Sequence, residues 1–279
     1  MISRRTFVKA TAASLAASTL PAYGLAPLTI GIGTFSYHAL SFDDMVAQLE
    51  ILLPTNGLHN QQIEMSRGEY MVMSRPSDEL FQTARAKLDK VGIKCVSYYA
   101  ATLKNEQEVA SAVRFAKLLG SHNITADATG VDLLKHIDRS VTEAGLTFSI
   151  HNHFFPGVKF AYESPEDVLN ALAPLSANCG ATADTGHFAA CGYDPVDAIR
   201  KLAPRLNLVH LKDIKAVGHG DNVLLGSGIA KIPEVEAELH RQNFRHLVAI
   251  EYEKEGDDDV RDDMRTNVAY AWQYGFSGA

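Results

Sequence analysis

The chain has 279 residues, of which 46% are hydrophobic and 21% charged, with a formal charge of −7. That length suffices for one large core, because α/β barrels run to about 250 residues as a single domain. The negative balance argues against a nucleic-acid partner, which needs a basic face, and leaves small neutral or polyol ligands open.

The first 26 residues carry Arg4, Arg5 and Lys9 and no acid, so the −7 total leaves −10 beyond them. The run Ser3-Arg4-Arg5-Thr6-Phe7-Val8-Lys9, the mild apolar stretch Ala10 to Leu20 and then Pro21 to Ala26 resemble a twin-arginine export signal. The apolar stretch is too short, and too rich in Ala, Ser and Thr, to span a bilayer permanently, which takes about 20 apolar residues. The resemblance implies cleavage near Gly24 or Ala26, a periplasmic location without stable membrane insertion, and a division into signal (1–26) and folded domain (27–279). The cysteines are Cys95, Cys179 and Cys191, an odd number, which points to free thiols rather than a disulfide framework.

Beyond the signal, short β-type runs alternate with helical ones. Leu28–Phe35 predicts a strand, and Ser41-Phe42-Asp43-Asp44 opens a helix reaching Leu53. His59–Met65 is a more polar strand with Glu64 at its end, followed by a helix from Pro76 to Val91 that Gly92 stops. Next come strand Ile93–Tyr99, helix Asn105–Leu119, strand His122–Asp127, helix Val131–Ala144 and strand Leu146–His151. Ser164-Pro165-Glu166-Asp167 caps a fifth helix, Ala177–Asp184 is the sixth strand, Asp194-Pro195 opens a helix ending near Ala203, and Leu206–His210 is the seventh strand. A polar, Gly-rich loop over 212–228, a helix from Ile232, the strand His246–Glu251 and a helix from about Asp257 to Tyr274 complete the chain.

Eight strands alternating with eight helices imply a parallel sheet closed into a (β/α)8 TIM barrel, an α/β fold in one domain. An open doubly wound sheet fits less well, since no G-x-G-x-x-G loop follows the first strand; Gly31-Ile32-Gly33 lies within it. In a barrel the C-terminal ends of the strands gather on one face, where chemistry sits. His151, Asp184, His210 and Glu251 end strands five to eight. Two imidazoles and two carboxylates suit Mn²⁺, Fe²⁺, Co²⁺ or Zn²⁺ and fit Cu(I) or an iron–sulfur cluster poorly. Four candidate ligands on successive strand ends point to a metal site more than to four separate structural roles.

The segments Ala183-Asp184-Thr185-Gly186-His187, Val209-His210-Leu211-Lys212-Asp213 and Ile250-Glu251-Tyr252-Glu253 resemble those of the xylose isomerase-like TIM-barrel superfamily, the sugar phosphate isomerase/epimerase family. The resemblance runs from Ile30 to about Tyr270 and implies one divalent metal ion, with Mn favoured among Mn, Co, Fe and Zn, and a small-molecule sugar or polyol substrate. In the family's ketose epimerases a Glu, Asp, His and Glu hold the ion, and the two glutamates also move the proton alpha to a carbonyl. Asp184, His210 and Glu251 match three of these positions, and His187 matches a histidine that touches substrate hydroxyls. His151 stands where the first glutamate is expected, which removes one negative charge and one of the paired bases. The form His151-Asn152-His153 resembles instead a branch that includes inosose dehydratase-like proteins and lyases of 3-keto-glycosides. That branch implies proton removal beside a ketone followed by loss of a β-substituent. A ketose epimerase and a carbohydrate-binding barrel without turnover remain the alternatives, and homo-oligomerisation stays open.

Other residues carry two readings each. His153 shares a strand face with His151 and is either an acid or base over the metal or a residue that orients a ligand. His187 is read as a substrate contact or a structural hydrogen bond, and Lys212 as a contact to an oxyanion or hydroxyl. Asp213 is expected to orient a neighbour. Glu64 is expected to reach a sugar hydroxyl or a catalytic partner, with an ion pair to Arg67 as the plain alternative. Phe35, His38, Tyr98 and Tyr99 are wall or core residues, and His219-Gly220-Asp221 lies in a loop that could cover the site.

Overall fold

The structure is a computed structural model that describes residues 27–52, 61–66, 76–254 and 260–275. The twin-arginine-like segment, His59, Arg67 and the acidic run Asp257–Asp259 lie outside the described residues. Eight strands close into a parallel barrel in the order β1-β10-β7-β6-β5-β4-β3-β2. They are β1 (Thr29–Gly33), β2 (Gln62–Ser66), β3 (Lys94–Leu103), β4 (Asn123–Ala128), β5 (Thr147–His151), β6 (Cys179–Asp184), β7 (Leu206–Leu211) and β10 (Leu247–Ile250). A two-stranded hairpin of β8 (Asp213–Ile214) and β9 (Asn222–Val223) stands outside the barrel. The helices are α1 (Phe42–Leu52), α2 (Asp78–Lys90), α3 (Glu106–Leu119), α4 (Val131–Ala144), α5 (Pro165–Leu172), α6 (Thr185–Ala190), α7 (Pro195–Leu202), α8 (Ile232–Arg241) and α9 (Arg261–Gly275).

Local chemistry explains the boundaries. Ser77 and Asn105 cap α2 and α3 by accepting from Leu80 N and Glu108 N, and Ser164 with Asp167 forms a reciprocal capping box at α5. Gly120 and Gly145 end α3 and α4 in the left-handed conformation, with φ of 75° and 69°. The main core lies between strands and helices, where Ile30, Ile63, Phe81, Phe115, Ile124 and Ile150 are all buried.

The barrel interior is built differently. A small apolar layer of Leu208, Leu247 and Ala249 fills part of it. A hydrogen-bonded belt crosses it: Thr125 Oγ1 meets Thr182 Oγ1 at 2.9 Å and Ser97 Oγ at 3.1 Å, and Asn123 joins Ser97 and Ser149 at 3.0 and 2.9 Å. Because β4 and β6 are not neighbours in the sheet, the Thr125–Thr182 bond spans the inside of the barrel. Small, mutually satisfied polar groups avoid the desolvation penalty of an unpaired one and form a rigid support for the residues at the strand ends.

Four segments depart from the sequence expectation. The first strand stops at Gly33 and gives way to a 3-10 turn over Thr34–Tyr37, held by Ser36 Oγ donating to Gly33 O at 2.9 Å. The third strand runs on to Leu103, and α6 begins directly after β6. The loop over 212–228 contains the β8–β9 hairpin, organised by Asp213, whose carboxylate accepts from Gly226 N, Gly228 N and Ala230 N at 2.9 Å each. Asp213 thus orients its neighbours, as expected. Cys95 and Cys179 are buried free thiols and Cys191 is a partly buried one. No helix among the described residues is long and apolar enough to cross a membrane.

Glu236 is a buried carboxyl on α8 whose two oxygens have no hydrogen-bond partner, and burial raises it from 4.5 to about 8. The folded chain holds this proton more tightly than the unfolded chain, so the stability it confers is full below the unfolded value and is lost as pH rises through about 8. Glu236→Gln keeps the shape and cannot ionise. Thermal melts should therefore show the variant gaining on the wild type between about pH 5 and pH 9, by on the order of a few kcal/mol. A gap that does not widen with pH would contradict this account.

Candidate active site and metal centre

The C-terminal ends of β5, β6 and β7 are tied together before any ligand is considered. Asn152 follows β5 and pairs with β6 through its side chain, accepting from Asp184 N at 2.8 Å and donating to Asp184 O at 3.1 Å. Thr185 links β6 to β7, its Oγ1 accepting from Lys212 N at 3.0 Å and lying 2.7 Å from Lys212 O. Asp184 caps α6, and its Oδ1 accepts from His187 N at 2.8 Å. That cap fixes the carboxylate plane and leaves Oδ2 facing inward. Gly186 leaves room for Lys212 to pass, since a Cβ there would lie 2.6 Å from Lys212 Cγ.

His151, Asp184, His210 and Glu251 are all buried, and each offers one donor atom within 4.8 Å of the others. His151 Nε2 lies 3.0 Å from His210 Nδ1, and Asp184 Oδ2 lies 3.9 Å from His151 Nε2 and 3.8 Å from His210 Nδ1. Glu251 Oε2 contacts His210 Nδ1. Asp184 Oδ2 and Glu251 Oε2 are buried yet make no hydrogen bond. Buried carboxylate oxygens that make no hydrogen bond and converge with two imidazole nitrogens are the arrangement a divalent cation would complete, so the residues fit a metal ion. Glu64 stands behind them: its Oε2 is 2.5 Å from His210 Nε2, and its Oε1 accepts from Ser97 Oγ at 2.7 Å. A carboxylate on the far nitrogen sets the ring orientation and tautomer of a metal-binding histidine.

Electrostatics sort the protonation states. Burial, with His153 and His210 nearby, holds His151 well below the ordinary histidine range, and burial pushes His187 down to about 3. Burial opposes ionisation of Glu251, yet the His210 and Lys212 charges outweigh it and bring the carboxyl to about 2. Asp184 is likewise opposed by burial and held well below the carboxylate range by His187 and Lys212. Burial disfavours the Lys212 cation, but Asp184, Glu251 and Glu253 keep it protonated. Its Nζ lies 3.3 Å from Asp184 Oδ2, 3.6 Å from Glu251 Oε1 and 2.5 Å from Glu253 Oε1. Burial also opposes charge on His210, whereas Glu251 and Glu64 raise it, and a cation at Nδ1 would displace that proton.

A cavity of about 580 Å³ adjoins this cluster through His187 and Lys212, which line it, and is walled by Phe35, His38, Phe154 and Tyr252. His219, Gly220 and Asp221 also line it. The structure thus brings together the expected ligands with His187, Lys212 and Glu64. Glu64 meets a partner, His210, at 2% exposure. His153 sits against His151, ring centroids 4.4 Å apart, as strand alternation implies. Tyr98 and Tyr99 separate, Tyr98 packing on Phe81 in the outer core and Tyr99 turning its hydroxyl to His153 Nε2 at 2.8 Å. Asn152, Thr185, Glu253 and Asp127 also belong to the site; Asp127 is readable as a carboxylate at a predicted strand end, and the other three lie within the motif segments with no signal of their own roles.

The family model for the xylose isomerase-like TIM barrel matches residues 63–271. The chain belongs to that family. An inosose dehydratase of Bacillus anthracis is 29% identical over 140 residues, 44% of this chain and 46% of the relative. The match thus spans just under half the length of such curated relatives. Among solved structures, the IolI protein with a bound zinc atom superposes with a TM-score of 0.71 at 14% identity, covering 88% of this chain and 99% of that one. The probable 3-DHS dehydratase AsbF of Bacillus anthracis gives 0.68 at 16% identity, covering 86% and 97%. At these identities the two structures share the barrel.

If Glu64 orients His210, Glu64→Gln should weaken binding of the cation at this four-residue site by about 10- to 100-fold, while Asp184→Ala abolishes binding there. Calorimetric titration of each variant with Mn²⁺ and Zn²⁺ reads this out. Unchanged affinity in both variants would remove the metal centre from consideration.

Proposed function

We propose that this family member is a divalent-metal-dependent lyase or isomerase that removes the proton next to a carbonyl of a sugar, keto-sugar or cyclic polyol. The observation that carries the proposal is the convergence of the Asp184 and Glu251 carboxylates, each with one buried oxygen that makes no hydrogen bond, on two imidazoles and the Lys212 cation, next to an aromatic-walled cavity lined by His187 and Lys212. The bound cation would supply Lewis-acid polarisation of the substrate carbonyl.

The chain's own residues take the remaining roles. Glu251 and His187 are both held unprotonated at neutral pH and are the groups available to accept the proton. As the C–H bond breaks, its electron pair forms a C=C bond and the carbonyl π pair moves to oxygen, where Lys212 offsets the charge. Asp184, His151 and His210 hold the geometry, and Glu64 and Asn152 hold them in turn. Expulsion of a β-oxygen substituent, which takes up the proton held by the base and leaves as water or an alcohol, then re-forms the carbonyl and gives an enone. His151 in place of a second glutamate favours this elimination over symmetrical epimerisation, and the dehydratase names of two similar proteins support the same class. The twin-arginine-like N-terminus supports a periplasmic site of action.

In deuterated buffer with Mn²⁺, a panel of an inosose, 3-dehydroshikimate and free ketoses should show deuterium entering at the α-carbon and enone absorbance appearing for the true substrate class. Glu251→Gln and His187→Ala should each lower the rate by about 10²- to 10⁴-fold. Exchange without elimination would turn the reading to an epimerase. Sugar binding with neither event would turn it to a binding barrel.

A further inference from the structure

A second group of donors adjoins the first on the side of the barrel away from β7 and β10. Asp127 near the end of β4, His151 at the end of β5 and His153 just beyond it each offer one donor atom within 4.8 Å of the others. Tyr99 adds a hydroxyl 2.8 Å from His153 Nε2, and Asp127 Oδ2 lies 3.1 Å from the same nitrogen. His151 is 1% exposed and turns Nε2 towards His210, yet its Nδ1 is buried without a hydrogen bond. Asp127 Oδ1 is buried and unpartnered as well.

A simple proton relay from Asp127 to His153 accounts for the Asp127 Oδ2 contact and leaves both of these atoms unexplained. A cation reached by both atoms would give each the partner it lacks. We propose that Asp127, His151 and His153, with the Tyr99 hydroxyl beside them, form a second divalent-cation site, so that the His151 imidazole lies between two ions. Two nitrogens and a carboxylate suit Zn²⁺, Co²⁺, Mn²⁺ or Fe²⁺. Three protein ligands leave a coordination position open to solvent or substrate, the pattern of reactive rather than structural sites. Bond formation at Nδ1 releases its proton to solvent, and the ring then donates one nitrogen lone pair to each ion with no change in oxidation state. The site rests on the reading of His151 as a ligand of the first ion and is independent of which reaction the enzyme performs.

The test is metal stoichiometry on the purified full-length protein. After chelation and dialysis, calorimetry and elemental analysis with Zn²⁺ should give two ions per wild-type chain and one for Asp127→Ala. Asp127→Asn, which keeps the volume and hydrogen-bonding capacity while removing the charge, should also fall to one, and it decides the matter if the alanine variant folds poorly. Loading with Cu²⁺ should give a magnetically coupled pair across the imidazole, and Asp127→Asn should convert it to an isolated centre by electron paramagnetic resonance. One ion in the wild type, with binding unaltered in both Asp127 variants, would overturn the second site and leave the first intact. Loss of all binding in Asp184→Ala but not in the Asp127 variants would likewise count against it. Substrate turnover plays no part in these readings, so their failure is separable from failure of the proposed reaction.

Discussion

Two buried carboxylate oxygens, balanced by ionic contacts and not by hydrogen bonds, govern the strand-end face of this barrel. Asp184 Oδ2 and Glu251 Oε2 are buried, ionised and without hydrogen bonds. Desolvating a carboxylate costs several kcal/mol unless positive charge compensates it. Lys212, fully enclosed and within 3.6 Å of both side chains, supplies part of that compensation, and the imidazoles face the rest. The arrangement is costly for stability alone, which is why it reads as a place prepared for a cation and for a substrate whose charge changes during reaction.

Much of this was legible in the chain because a parallel barrel imposes one rule: whatever ends a strand faces the common rim. His151, Asp184, His210 and Glu251 obey it, and alternation along β5 placed His153 beside His151. Asp127 obeys the same rule from β4, but a single carboxylate after a weakly apolar strand carries little contrast against an ordinary surface acid. Asn152 and Thr185 were hidden for another reason. Their work is to bridge one strand to the next, and such contacts depend on register, which no local pattern encodes.

The elements outside the sequence expectation have similar causes. Helix α6 covers only Thr185–Ala190 and contains a glycine, too short for a periodic apolar stripe to develop. The β8–β9 hairpin uses two residues per strand and owes its shape to Asp213 collecting three backbone amides from a distant turn. The hydrogen-bonded belt of Ser97, Asn123, Thr125, Ser149 and Thr182 was masked because their outward-facing neighbours made each strand read as apolar.

The dual service of Asp184 has a mechanical corollary. One oxygen of its carboxylate fastens the first turn of α6, which carries His187 into the cavity, while the other faces the donor cluster. A guest that tugs on that imidazole therefore pulls on the same short lever that aims the inner oxygen. Occupancy of the cleft and the tightness of an ion held beneath it would then be joined through a single rigid carboxyl group.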